Sequence, residues 1–593
     1  MRNIIVLLLV TLFGLNANAE KIHHKLSMPA PETHYFHVET TLSDFDEEQL
    51  VMSMPVWTPG SYLVREFAKN VDRVYAVDGD GNELLVQKAR KNKWMIHAES
   101  ADEVVVTYRV YAFELTVRTS FLDQTHGYLN GTSIFMYPEG SMDLEGTLTV
   151  VPHSSFEKIT TALPVSKDNV EGDAGTTFTF DDYNHLVDSP IEIGNQETFS
   201  FEAAGVEHHV AMYGPGNYEV DQLKKDMAKI VEASTAVFGE NPNDEYWFII
   251  HNTDVGSGGL EHKKSTTLNV NRWSYSGRDY LGFLSLVAHE YFHLWNVKRL
   301  RPKSLVSYDY DNENYTDLLW VMEGFTSYYD ELMLRRAGFY SKEDYLNRLK
   351  STLNWVEATE GNRVQPVAHA SYDAWIKAYR PNENSRNTTI SYYSKGSLVA
   401  VTIEAMIIES SKGKKSLDDF MQLLYKKYYK ENNSGMTPED FQNSLESFLD
   451  KDLDQFFERF VYGTETIPYK DYFDALGLDI ELVREERAAL GANLSQSGGH
   501  LIVNAVTRKS PAEKAGLSPN DEIIAFNGFR VTKNEFTDFL DDLAPGEEFN
   551  LIVSRDKQLM TIDVVMGTID APLYSFQYKG NKLGEFWLRE QMK

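Results

Sequence analysis

The pattern His289-Glu290-Tyr291-Phe292-His293 constrains this chain more than any other feature of its sequence. On a helix, positions i and i+4 share a face, so two imidazoles can grip one metal ion with Glu290 beside them. Leu281, Phe283, Leu284, Leu286 and Val287 precede the pattern at helical spacing, which predicts a buried helix. Burying His, Glu and His together without a cation would be costly. The chain has no cysteine, so any metal must sit on histidine and carboxylate. A catalytic zinc site takes three protein donors and leaves one position open. Glu323, in the helical segment LLWVMEGFTSYYDELML, is the candidate third donor. Its plain alternative is a surface carboxylate, and the apolar Trp320, Val321, Met322 and Phe325 weigh against that.

A length of 593 residues predicts about three to four domains. The net charge of −31 argues against nucleic-acid partners, which need a basic footprint. Residues 1–19 read as a secretory signal: Arg2, an apolar run from Ile4 to Leu15, then Ala17-Asn18-Ala19. Export, most simply to a bacterial periplasm, is therefore expected. No later stretch approaches about 20 apolar residues, so no integral membrane segment is expected after signal cleavage.

The texture of the chain predicts a multidomain α+β protein. A β-rich N-terminal domain is expected over 20–203, rich in β-branched and aromatic residues between Gly, Asp and Asn clusters. Within it, WTPGSYLVREF (57–67) reads as a Pro-Gly turn anchored by aromatics, the alternative being a direct catalytic role. A mixed, largely helical α+β catalytic domain is expected over 204–475. Residues 482–568 form a third region, in which SPAEKAGLSPNDEIIAFNGFRV (510–531) resembles a bacterial protease-type PDZ domain. Asn527-Gly528 there predicts a hairpin turn, and Leu490-Gly491-Ala492 the peptide-binding loop. Such modules add a peptide strand to a sheet edge. The alternative is a module that packs on the peptidase and binds nothing. Its place after the other motifs predicts that a chain ended near Tyr472 still hydrolyses small substrates.

Five stretches carry a family resemblance: WTPGSYLVREFAKNV, GSGGLEH, HEYFHLWNVKRLRP, LLWVMEGFTSYY and YYSKGSLVA. Together they resemble the glycyl aminopeptidase family of zinc metallopeptidases (clan MA, family 61), exported gluzincin hydrolases with a C-terminal PDZ domain. The resemblance implies a thermolysin-like zinc peptidase domain over 204–475, with one Zn2+ per chain on His289, His293 and Glu323 and with Glu290 as general base and proton shuttle. It implies Tyr393 as the oxyanion donor, with Tyr392 its neighbour in the motif. Glu261 would bind the free α-amine of the substrate, and Gly258 and Gly259 beside it would let an extended substrate approach the sheet edge closely. His262 stands where the related, larger aminopeptidase-N-like family has Asn. The implied reaction removes small N-terminal residues, Gly or Ala, from peptides with a free N-terminus. A PDZ-assisted endopeptidase acting on exported proteins is the rival, and an idle PDZ scaffold a third reading. The PDZ domain would take peptides or protein C-termini.

Overall fold

Along Tyr35–Ser43 and Glu103–Tyr111 every second residue is buried, the signature of a strand with one face on a core. The two pair antiparallel, with Phe36 opposite Val110 and Val38 opposite Tyr108. They lie inside a ten-stranded sheet, and a separate four-stranded sheet completes the N-terminal β domain. The computed structural model describes residues 21–590 apart from 46, 100, 170–174, 485–486 and 570–571. The signal segment expected at 1–19 lies outside the described residues. The chain divides into two compact units. The first runs to Thr58 and resumes over Arg65–Glu197; the second is Pro59–Val64 together with Thr198 to the C-terminus.

The second unit is organised on a five-stranded sheet: β1 (Glu197–Ala203), β2 (Val206–Tyr213), β3 (Glu245–Thr253), β5 (Ser265–Asn271) and, at the edge, β4 (Ser257–Glu261). β2, β3 and β5 run parallel, and β4 turns back antiparallel on β5, with Glu261 opposite Thr266. β3 (EYWFIIHNT) is buried on both faces, as a central parallel strand must be. The crossover between β2 and β3 is α1 (Val220–Phe238), closed by Gly239 at φ +79°. Helices then dominate: α2 (Gly277–Phe292), α3 (Leu319–Arg336), α4 (Lys342–Glu357) and α5 (Tyr392–Ser411). α3 is buried almost all round, so it is the axis of the helical region.

α3 and α5 cross backbone to backbone. A Cβ added at Gly324 would lie 2.5 Å from Gly396 Cα, and one at Gly396 would lie 2.5 Å from the Trp320 carbonyl oxygen. Only glycine at both positions permits that approach. Among the described residues no helix is long and apolar enough to cross a membrane.

The C-terminal region holds a PDZ domain with its own core around Leu501, Val503, Phe536, Leu551 and Val564. β7 (Ala492–Ser497) is the outermost strand of its sheet and α6 (Lys533–Asp541) packs beside it. Asn527 and Gly528 both have positive φ, 46° and 82°, as the hairpin turn requires. Before and after the domain, β6 (Leu478–Arg484) pairs along its length with β8 (Pro572–Tyr578). α7 (Lys582–Trp587) follows, and Trp587 and Leu588 are fully buried. Trp587 Nε1 donates to the Tyr328 hydroxyl at 3.3 Å, and Arg335 Nε to the Leu588 carbonyl at 3.1 Å. The PDZ domain is thus inserted before a final segment that completes the peptidase core. This weighs against the expectation for a chain ended near Tyr472, which would lose Trp587 and Leu588 and expose the core they fill.

Candidate functional site

α2 delivers His289 and Glu290 from its last turn, and His293 caps its C-terminus. α3 delivers Glu323 from its first turns. The close crossing of α3 and α5 brings Tyr393, one turn before Gly396, to the same place. His289 Nε2 lies 3.4 Å and His293 Nε2 3.2 Å from Glu323 Oε2. A tetrahedral ion with ligands at about 2.0–2.1 Å spaces its ligand atoms about 3.3 Å apart. Both ring Nδ1 atoms are already committed: that of His289 to Asp330 Oδ2 at 2.9 Å, that of His293 to the Asn296 carbonyl at 2.7 Å. Carboxylates and carbonyls only accept, so each neutral ring carries its proton on Nδ1 and a lone pair on Nε2. Three acceptors then converge on one point, an arrangement that needs a cation between them. The donor set therefore fits a metal, with Asp330 and Asn296 orienting the two rings. Asn296 Nδ2 in turn donates to the Val321 and Met322 carbonyls at 3.1 and 2.9 Å, fixing the end of α2 against α3.

The electrostatics show that this point favours positive charge, which a proton on the rings or a bound metal ion can supply. Burial alone would lower both imidazoles. Asp330 and Glu323 outweigh it and hold His289 well above its usual range, and Glu323 raises His293. Burial would raise Glu323, but His293 and His289 pull it down to about 2. Burial lifts Glu290 to about 7, against the pull of the two histidines.

Glu290 Oε2 has no hydrogen-bond partner. Glu261, Glu290 and His293 form a second donor group, its atoms within 4.8 Å of one another and overlapping the first at His293. Glu261 is 4% exposed and ends β4, which brings its carboxylate into this group. Gly258 and Gly259, expected to give a substrate room, have a more immediate task. Gly258 has φ +126°, and a Cβ at Gly259 would fall 2.3 Å from Glu290 Cδ. Tyr393 is half-buried with its ring 6.2 Å from that of His289; Tyr392 is fully buried. Burial, with Glu323 next in effect, keeps the Tyr393 phenol protonated.

Four residues escaped the sequence reading. Asp330 lies two helical turns beyond Glu323 on the same face, a spacing that could have flagged it. Asn296 follows the His pattern closely. Gly60 and Tyr62 reach the site only through the fold. The 57–67 stretch does make a turn at Pro59-Gly60, and that turn packs in the second unit.

Residues 23–195 match the Peptidase M61 N-terminal domain, 282–399 the M61 glycyl aminopeptidase family and 488–566 the PDZ domain family. The structure resembles that of an aminopeptidase N family protein from Idiomarina loihiensis at 30% identity and TM-score 0.90, over 96% of this chain and 100% of that one. An M1 zinc metallopeptidase from Deinococcus radiodurans shares the fold, at TM-score 0.50 and 13% identity, over 76% of this chain and 95% of that one. Shorter likenesses link 111 residues to the carboxy-terminal processing protease CtpB of Bacillus subtilis (31% identical, 19% of this chain) and 97 to a probable periplasmic serine endoprotease DegP-like of Hahella chejuensis (32%, 16%). The chain spans about a fifth of the length of these two curated relatives. The matched families, in this order along the chain, and the near-complete likeness to the Idiomarina protein establish a metallopeptidase with a PDZ domain: the chain belongs to the M61 glycyl aminopeptidase family.

Proposed function

We propose that this metallopeptidase is an exported zinc aminopeptidase that removes small N-terminal residues, Gly or Ala, from peptides. The observation that carries the reading is the overlap of two donor groups at His293: a buried carboxylate, Glu261, lies within 4.8 Å of the base and of a metal ligand. An endopeptidase has no use for a buried carboxylate this close to the base and a metal ligand. An exopeptidase needs one for the substrate ammonium, and such a pair is strong in a partly dehydrated cleft.

His289, His293 and Glu323 would hold the ion. A zinc bound there would polarise the scissile carbonyl and acidify a water. Glu290, its Oε2 unpartnered, takes the proton of the attacking water and returns it to the leaving amine. Tyr393 donates its phenol hydrogen to the developing oxyanion. Glu261 pairs with the terminal ammonium and sets the register of the chain. The preference for Gly and Ala is supported by membership of the glycyl aminopeptidase family, and export by the signal pattern of residues 1–19. The open edge of β7 beside α6 supports capture of an extended peptide or C-terminus by the PDZ domain.

The test compares Gly-, Ala- and Leu-p-nitroanilide with their N-acetylated forms. The free-amine substrates should be favoured at least about a hundredfold, and Glu261→Ala should erase that preference at a cost of about 2–3 kcal/mol on the free amine. A wild-type enzyme that cleaves free and acetylated substrates equally well contradicts the reading and leaves the endopeptidase in its place. For export, the native protein in the periplasmic fraction should begin at Glu20; a cytoplasmic chain that retains residues 1–19 contradicts it.

A further inference from the structure

We propose that the Pro59–Tyr62 turn is a specificity element: it ends the cleft at Glu261, and the bare Cα of Gly60 is what lets this carboxylate receive an unsubstituted terminal ammonium and nothing longer. The inference rests on the aminopeptidase reading and adds to it the residues that make the site an end-cutter.

Gly60 has φ +83°, and a Cβ there would stand 2.7 Å from each carboxylate oxygen of Glu261 and 2.6 Å from Leu260 Cδ1. The equal distances mean that the turn faces both oxygens at once. The turn is held from outside. The Tyr62 ring meets Trp375 edge-on at 5.6 Å and Tyr379 at 6.1 Å, and the Tyr379 hydroxyl donates to the Gly60 carbonyl at 3.4 Å. Ser61 is fully buried and Tyr62 is 1% exposed, so solvent does not reach the site past these side chains. On its other side Glu261 lies within 4.8 Å of Glu290 and His293. An extended residue spans about 3.3–3.6 Å, so the space between the reacting centre and Glu261 takes about one residue. A chain continuing beyond that residue runs into the turn. Charge and sterics therefore act together: Glu261 attracts the ammonium, and Gly60 and Tyr62 exclude an acyl group or a further residue on the nitrogen.

The experiment uses the full-length enzyme, its Gly60→Ala, Gly60→Asn and Tyr62→Leu variants, and three substrates: Gly-p-nitroanilide, its N-acetyl form and Gly-Gly-p-nitroanilide. Ala and Asn put the same Cβ against Glu261, but Asn tolerates positive φ far better. A need for glycine that was only backbone strain would be relieved by Asn. Both Gly60 variants should lose at least about thirtyfold in kcat/KM on the free Gly substrate, mainly through KM, at wild-type metal content, with Tm lowered more in Gly60→Ala than in Gly60→Asn. Tyr62→Leu should raise the rate on the acetylated substrate, relative to the free one, at least about tenfold, together with bond cleavage after the second residue of the Gly-Gly substrate. Should the Gly60 variants prove unstable, Tyr62→Leu carries the test alone. Wild-type efficiency in Gly60→Asn, or an unchanged ratio in a folded Tyr62→Leu, overturns the proposal while a discriminating wild type keeps the aminopeptidase reading. A wild type that does not discriminate removes both.

Discussion

The PDZ domain and the helical peptidase region both bury carboxylates, and they treat them in opposite ways. Asp521 of the PDZ domain is 0% exposed, yet every demand on it is met. Arg555 Nε and Nη2 donate to its two oxygens at 2.7 Å each, and the Ser518 amide donates at 2.8 Å. It is a fastener for the strand it precedes. Glu323 is just as buried but faces two imidazole lone pairs, and Glu290 leaves one oxygen without a partner. A third fate is visible at Glu404 on α5. Burial, with Asp418 nearby, pushes its carboxyl up to about 8 despite the Leu417 amide, Arg336 and Arg589, so it rests neutral at pH 7. Satisfied, neutralised and convergent carboxylates are equally hidden from water, so burial alone does not mark a functional site. What marks it is acceptors turned on acceptors, which only a cation can reconcile.

That contrast can be broken most severely at the base. Glu290→Gln keeps every proposed ligand and should cost about a thousandfold in kcat on an amino-acyl p-nitroanilide, with metal content and Tm unchanged. Near-normal turnover would place Glu290 with the structural carboxylates. Asp521→Asn tests the fastener, since it removes the charge from a charge-assisted pair. It should lower PDZ stability by about 2 kcal/mol, read by hydrogen exchange of its strands, while small-substrate hydrolysis stays within twofold of about wild type. A drop in turnover with no change in exchange would reverse the two roles.

The smallest effect belongs to Glu404, which faces Asp418, Arg336 and Arg589 along with Tyr328, Tyr329 and Tyr345. Its folded pKa lies above the unfolded value of 4.5. The unfolded chain therefore releases this proton first as pH rises, and its contribution to stability is full below 4.5 and fades up to about 8. Glu404→Gln should flatten the fall of Tm across that window. A variant with the wild-type slope would show that the carboxyl is ionised in the fold.

Local features of this chain were readable and long-range ones were not. The His-Glu-His helix and the Asn527-Gly528 turn each depend on a few adjacent residues, and each appears in the structure. Glu323 was reachable because an acidic residue among Trp320, Val321, Met322 and Phe325 is conspicuous. The approach of Gly60 to Glu261 joins positions far apart in sequence, and no periodicity encodes it. A glycine such as Gly259 reports a close approach without saying by what, and it is Glu290 that fills the space. The return of Trp587 to Tyr328 was missed for the same reason, since a short aromatic helix after a PDZ domain carries no sign of what it packs against.

The central claim is that His289, His293 and Glu323 converge because a metal ion sits between them. Metal analysis of the purified wild type beside Glu323→Ala, after dialysis against a weak chelator, tests it directly. The account predicts about one zinc per wild-type chain and less than about a tenth of that in the variant, at wild-type secondary structure. A wild type that turns over substrate with no bound metal, or a Glu323→Ala variant that keeps a full complement of zinc, would contradict it.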